Sequence, residues 1–382
     1  MSQLDALRAE IDDIDARLTS LFLQRMEVTE RVGRWKQANG VPVLDAARER
    51  EVLAKKAALT DDPARKDDVT ALYEAIMGIS LRQQRKLLTE TGNGDYQRIC
   101  AALRTARKPL EEPRVLYQGE PGAYSDEAAG AFFGEAAHRS HVATWEAVFQ
   151  ALKEGRADYG VLPIENSSNG SVRAVYELLQ DHNLSIVRST RLCIRHELLA
   201  LPGVKMEDIT EIYSHEQAIG QCSKFLNGLN GVRVIPCDNT AMAAKMVAER
   251  GDRHAAAISS HPCAALYGLE TVSDEIQDSD NNYTRFICVT KDPVIYAGAS
   301  RISLIIACDN KPGALYEILS KLASLGINMT KLESCPVTGR NFEFIFFLEL
   351  EASVQAPGVL PMLEELERSC EGFHFLGNYA EI

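Results

Sequence analysis

The chain has 382 residues, 46% hydrophobic and 25% charged, which is enough apolar material for two or three packed domains. Its 41 Lys and Arg against 54 Asp and Glu leave a net charge of −13, arguing against general nucleic-acid binding and docking to an anionic membrane. No apolar run approaches the ~20 residues that cross a bilayer, and the opening Met-Ser-Gln-Leu-Asp lacks the basic and apolar regions of an export signal. The nine cysteines are odd in number with no Cys-x-x-Cys pair, so they read as reduced thiols of a cytoplasmic protein, neither disulfide framework nor zinc site.

Residues 1–90 are expected to be all-helical. Leu4, Leu7, Ile11, Ile14, Leu18, Leu21, Val28, Val32 and Trp35 recur at spacings of three and four, the seam of one long helix. Ser2 and Asp5 resemble a capping box at its start, and the Asn-Gly-Val-Pro run at 39–42 ends it. Such a helix is ~35 residues and ~50 Å long, more than the two short helices predicted at about 44–57 and 66–88 can cover. A second copy of the chain is the expected cover. Arg25 occupies a seam position where the repeat calls for an apolar side chain. Either its stem packs and its head reaches water, or it turns inward and requires a carboxylate from protein or ligand. Residues 91–113 read as a linker carrying a short helix around 95–106.

From 114 to 292, short β-rich runs alternate with helical stretches, the pattern of an α/β domain. Five runs, beginning near 115, 159, 211, 232 and 255, end in hydroxyl or amide residues able to cap the next helix: Ser125, Asn166 to Ser171, Ser214, Asn239-Thr240 and Ser259-Ser260. Strand ends and helix N-termini converge on the crevice of an open α/β sheet, a place suited to carboxylates or phosphates. Neither a Walker A sequence nor Gly-x-Gly-x-x-Gly is present, so no nucleotide cofactor is expected. Residues 300–382 read strand–helix–strand–strand–helix–strand, with strands near 302–308, 328–334, 342–350 and 373–379, the ferredoxin-like order.

At this point the residues match known families. Leu-x-x-Leu-Arg8-x-x-Ile, Arg25, Trp-Lys36, Asp45-x-x-Arg48-Glu49 and Ser80-x-x-x-Gln84 resemble the all-helical chorismate mutases. The resemblance implies an intertwined homodimer in which Arg8 serves the other copy's site. The implied reaction is the Claisen rearrangement of chorismate to prephenate. It needs no nucleophile, base or metal, only a dianion held compact and donors to its ether oxygen. Arg8, Arg25 and Arg48 would clamp carboxylates, Lys36 and Gln84 would donate to the ether oxygen, Glu49 would accept from the substrate hydroxyl, and Asp45 and Ser80 would line the site.

Gly119-x-x-Gly-Ala-Tyr-Ser125, Glu165-Asn166-Ser167, Ser214-His-x-Gln217 and Thr284-Arg285-Phe286 resemble prephenate dehydratase, which implies two α/β lobes like those of periplasmic binding proteins, split near 190 with a return crossing near 265–275. The implied reaction turns prephenate into phenylpyruvate with loss of CO₂ and water. Thr284 is the implied proton donor, and Ser125, Asn166, Ser167, Ser214, Gln217 and Phe286 the lining. Arg285 either anchors a carboxylate or sits in a structural ion pair, His215 reads as structural rather than as a base, and Glu165 is an acid or a structural partner. Finally, Gly313-Ala314-Leu315 and Glu333-Ser334-Cys335-Pro336 resemble the ACT module that senses phenylalanine. That family usually has arginine where Cys335 stands, which leaves the strength of feedback open. The rival reading is a solute-binding protein with a helical oligomerisation arm.

Overall fold

The computed structural model describes residues 3–38, 46–89, 94–105, 109–308, 312–336, 344–370 and 372–382. They form two compact units: residues 1–98 with 363–370, and residues 99–362 with 371–382. The first holds α1 (Gln3–Ala38), α2 (Ala46–Ala57) and α3 (Pro63–Thr89), and α4 (Asp95–Arg104) starts in it. A proline opens α3, where its missing N–H has no helical partner to lose. The capping signal at Ser2, the stop at 39–42 and Asp45 lie outside the described residues.

The long first helix carries two faces. One packs on α3 and buries Met26 and Gly33. The other is the seam, and in the single chain it is open: Leu4 is 55% exposed, Ile11 56%, Leu21 64% and Trp35 61%.

The second unit runs β1 (Arg114–Gln118), α5 (Tyr124–Phe133), β2 (His138–Val142), α6 (Trp145–Lys153), β3 (Tyr159–Asn166), β4 (Gly170–Ser171), α7 (Arg173–His182) and β5 (Ser185–Cys193). The chain then crosses to a separate five-stranded sheet. That lobe comprises β6 (Glu197–Ala200), β7 (Glu211–His215), α8 (Glu216–Gln221), α9 (Ser223–Asn227), β8 (Arg233–Cys237), α10 (Thr240–Arg250), β9 (Ala255–Ser259), α11 (Pro262–Tyr267) and β10 (Glu270–Ser273). It returns as β11 (Tyr283–Thr290), which pairs with both β3 and β5. The crossings therefore fall at 194–196 and 274–282, several residues later than the positions read from the sequence, because β5 continues to Cys193 and the return segment after β10 is irregular.

Side-chain capping occurs at two of the five expected helix starts. Asn239 accepts from the Met242 N–H ahead of α10, and His215, not Ser214, accepts from Gln217 ahead of α8. The starts of α5, α7 and α11 have no side-chain cap.

The C-terminal part is β12 (Arg301–Ala307), α12 (Ala314–Ser324), β13 (Asn328–Pro336), β14 (Phe344–Glu351), α13 (Val359–Ser369) and β15 (Gly372–Glu381), with the ferredoxin-like strand order β13-β14-β12-β15. It is not a separate bead. The last strand pairs in parallel with β5, Ala380 opposite Arg188 and Glu381 opposite Ser189, so one sheet runs β13-β14-β12-β15-β5-β11-β3-β1-β2. Gly377 permits the approach, since a Cβ there would collide with the Ile186 carbonyl oxygen. A shared core closes the junction: Tyr176 and Leu179 of α7 pack with Ile305, Ile345, Phe347 and Leu376.

Candidate active sites

Between the two α/β lobes lies a cavity of about 370 Å³. Its chemistry is set by β3 and β11, neighbours in the large sheet. Thr284 pairs with Asn166 and Arg285 with Glu165, but Phe286 pairs with Pro163, leaving Ile164 as an extra residue on β3. This bulge breaks the simple alternation of the strand. Pro163 and Asn166 both line the cavity, while Ile164 packs in the core beneath it. On β11 the alternation is regular, so Thr284 and Phe286 line the cavity and Arg285 points to the other face.

The Asn166 amide donates to Thr284 Oγ1 at 2.9 Å and to Asn282 Oδ1 at 2.9 Å, while its own carbonyl accepts from the Ser168 and Asn169 N–H groups at 3.0 Å. With one lone pair of Thr284 occupied, its hydroxyl proton is the group left to donate into the cavity. Ser125 and Gln217 also line the cavity.

Three expected residues do not line it. Ser214 is fully buried and donates to the Ile258 carbonyl at 2.7 Å. Ser167 links backbone, donating to Asn281 O at 3.0 Å and accepting from Tyr283 N at 2.9 Å. Arg285 is buried in ion pairs with Glu349 at 2.7 Å and Glu165 at 3.4 Å. Burial alone would depress its pKa, yet the Glu349 carboxylate holds it raised; Glu349, whose burial would raise it, is in turn held below its ordinary range by Arg285 and Arg301. Of the two readings left open for Arg285, the ion pair is the one present.

The cavity also gathers residues that sequence reasoning passed over. Tyr124 OH donates to the Arg195 carbonyl at 2.5 Å and meets His196 Nδ1 at 3.2 Å, and His196 Nε2 meets Gln221 Oε1 at 2.9 Å. Burial pushes the His196 pKa below the ordinary imidazole value. Asn239 and Thr240, noticed only as capping candidates, line the wall, with Trp145 and Asp238. Among the described residues no Lys or Arg lines the cavity. An anion would meet amides, hydroxyls and the N-termini of α5 and α10 instead.

In the helical unit, Arg25 turns inward. Its Nη1 donates to Ser80 Oγ at 2.5 Å, and Ser80 donates onward to the Ile76 carbonyl at 2.8 Å. Gln84, one turn along α3, is buried, and its carbonyl oxygen takes no protein hydrogen bond among the described residues. Lys36 lies three turns beyond Arg25 on α1 and is partly buried. Arg8 is exposed and 17 residues before Arg25, roughly 26 Å along the axis, too far to share its site within one chain. Arg48 pairs with Glu51 on its own helix at 2.7 Å. Glu49 lies on α2, its side chain outside the description.

In the C-terminal part, Gly313 precedes α12 with φ of 87°, a conformation that favours glycine, and Ala314 and Leu315 begin the helix. Glu333 and Ser334 alternate on β13. Glu333 accepts from the Ser171 hydroxyl on β4, while Ser334 is exposed.

A helical unit, a two-lobed α/β cleft and a ferredoxin-like module define a multidomain enzyme with separate sites. Comparison with known proteins places it further. Family models for chorismate mutase type II, prephenate dehydratase and the ACT domain match residues 7–85, 115–294 and 302–368 in order. The chain is 30% identical over 380 residues to the bifunctional chorismate mutase/prephenate dehydratase of Aquifex aeolicus, covering 99% of this chain and 98% of that protein. It is 31% identical over 382 residues to that of Escherichia coli, covering 98% and 95%. Among solved structures, prephenate dehydratase from Arthrobacter aurescens in complex with L-Phe aligns with TM-score 0.64 and 30% identity over 70% of this chain and 89% of that one. The chain belongs to the bifunctional chorismate mutase/prephenate dehydratase family. It therefore carries both activities, chorismate to prephenate and prephenate to phenylpyruvate. Among the described residues no helix is long and apolar enough to cross a membrane.

Proposed function

We propose that Thr284 is the proton donor of the dehydratase and that Arg25 anchors the mutase site, with phenylalanine acting as feedback inhibitor at the ACT module. The observation that carries the first assignment is the 2.9 Å bond from Asn166 to Thr284 Oγ1 inside the inter-lobe cavity. Prephenate loses its ring carboxylate as CO₂, the electron pair of the breaking C–C bond enters the ring, and hydroxide departs from the opposite carbon. The Thr284 proton converts that hydroxide to water, and Thr284 is reprotonated from solvent. A hydroxyl is a weak acid, so transfer accompanies C–O cleavage, with aromatisation providing the driving force. Asn166 keeps the hydroxyl aligned. Gln217, Ser125 and the N-termini of α5 and α10 receive the substrate's anionic groups.

In the helical unit, Arg25 and Lys36 hold a chorismate carboxylate and its ether oxygen, and Gln84 donates from its amide. Ser80 fixes the Arg25 fork, and Glu49 accepts from the substrate hydroxyl. Arg8 reaches the site of a second copy, because the exposed Leu4–Trp35 seam supports a homodimer built along α1. Arg48 joins the carboxylate clamp, and Asp45 is a further candidate lining residue. In the ACT module, Gly313, Ala314, Leu315, Glu333 and Ser334 are the effector-binding set; the solved relative bound to L-Phe supports that ligand class. Net charge and cysteine usage support a cytoplasmic site.

The test supplies purified protein with chorismate alone and follows chorismate loss and phenylpyruvate formation, with and without phenylalanine. Phenylpyruvate that accumulates and is suppressed by phenylalanine upholds the reading. Turnover indifferent to phenylalanine removes the feedback assignment.

A further inference from the structure

Lys331 lies on β13, on the face of the long sheet away from the cleft. Its side chain is 13% exposed, and its Nζ is 3.2 Å from Glu165 Oε1, 2.6 Å from Ser171 Oγ and 3.4 Å from Glu333 Oε2, over the Tyr176 ring at 5.0 Å. Glu165 and Ser171 are a directly opposed pair on β3 and β4, and the adjoining pair is Asn166 opposite Gly170. One cation thus ties both strands of this hairpin, one residue from the amide that holds Thr284.

The hairpin needs such a tie. β4 has two residues, and two paired positions do not make a rigid ladder. The bulge at Ile164 directs Glu165 to the side where Lys331 and Arg285 wait, out of reach of the cavity. Burial opposes the Lys331 charge, but Tyr176 and Glu165 more than offset it and its pKa is raised, so the ammonium persists. Without it, Glu165 on β3 and Glu333 on β13 would lose their shared cation, and repulsion between the two carboxylates would push the hairpin from β13. Glu165 would retain only its longer contact to Arg285.

We propose that Lys331 is a positioning residue of the dehydratase reaction: by binding Glu165 and Ser171 together across β3 and β4, it sets the orientation in which Asn166 presents the Thr284 hydroxyl to the substrate. Lys331 touches neither substrate nor cavity. Its effect reaches the chemistry through Asn166 alone.

Lys331→Met keeps the apolar stem and removes the charge. Assayed as the full chain on prephenate, it should lower kcat about tenfold to a hundredfold, the scale of a sub-ångström misplacement, and change KM by less than about threefold. Chorismate turnover by the same sample stays at the parent rate and reports an intact chain. Lys331→Arg restores most of the lost kcat. Should the methionine variant fail to fold, Ser171→Ala, which removes only a hydroxyl, is expected to lower kcat about threefold to tenfold at unchanged KM. A folded Lys331→Met protein with the parent kcat, a change confined to KM, or an arginine no better than methionine would each overturn the proposal.

Discussion

In the dehydratase cleft, β3, β11, α5 and α8 of one chain bring the Thr284 hydroxyl, the Asn166 amide bonded to it, and the Ser125 and Gln217 side chains to one cavity. The helical unit does not do this. Its seam from Leu4 to Trp35 is open, and Arg8 stands roughly 26 Å along α1 from Arg25. The difference is one of chain economy. A two-lobed α/β domain folds back on itself and encloses a small molecule, whereas a helix ~50 Å long exposes more apolar surface than two short helices can cover, which is the ground for the proposal that a second copy completes its site.

The largest expected effect sharpens that contrast. Thr284→Ala should cost the dehydratase about 10²–10⁴ in kcat, the range of a lost general acid, while chorismate loss measured in the same tube stays unchanged. Arg25→Ala should do the reverse, lowering mutase kcat/KM by about 10²–10³ with phenylpyruvate formation from prephenate intact. Equal loss of both activities in either variant would break the comparison.

Stability should divide the molecule in the same way. Glu349 is buried between Arg285 and Arg301, so Glu349→Gln should destabilise the α/β–ACT unit by about 3–5 kcal/mol, read by chemical denaturation, and leave the helical unit's transition in place. The pH sign follows from the depressed pKa of Glu349 in the fold. The pair's contribution is fully present above the ordinary Glu range near 4.5 and is lost as pH falls through the lower folded value. The glutamine variant should therefore lose less stability than the parent on acidification below about pH 4.5. A smaller effect is expected at Gly377→Ala. There the added methyl meets the Ile186 carbonyl, and a loss of about 1–3 kcal/mol should appear as easier opening of the β15–β5 edge in hydrogen exchange.

Much of this was legible in the residues, for identifiable reasons. The seam of α1 and the ferredoxin-like order are local periodicities, so their elements appear within a few residues of expectation. Thr284 and Phe286 share a face with Asn166 because strands alternate, but alternation does not say which neighbour turns away. Arg285 turned to Glu349, 64 residues downstream, for that reason. Ser214 looked like a lining residue from its motif, yet its hydroxyl satisfies the Ile258 carbonyl. The Tyr124–His196–Gln221 chain joins three elements at the lobe crossing, and the β15–β5 pairing joins residues some 190 apart. No spacing rule carries such contacts. Nor could spacing have shown the bulge at Ile164, which lets Pro163 and Asn166 both face the cavity.

The most direct test of the proposed sharing of the helical site mixes two variants that are each expected to be inactive. Arg8→Ala and Arg25→Ala are purified separately, denatured together in equal amounts, refolded, and assayed for chorismate loss, with dehydration of prephenate as the control. If Arg8 serves the other copy, half of the refolded pairs are mixed and each has one intact site, so about a quarter of the parent mutase activity returns. If both arginines serve the same chain, no mixed pair has an intact site and the mutase stays silent while the dehydratase recovers. That result would contradict the account.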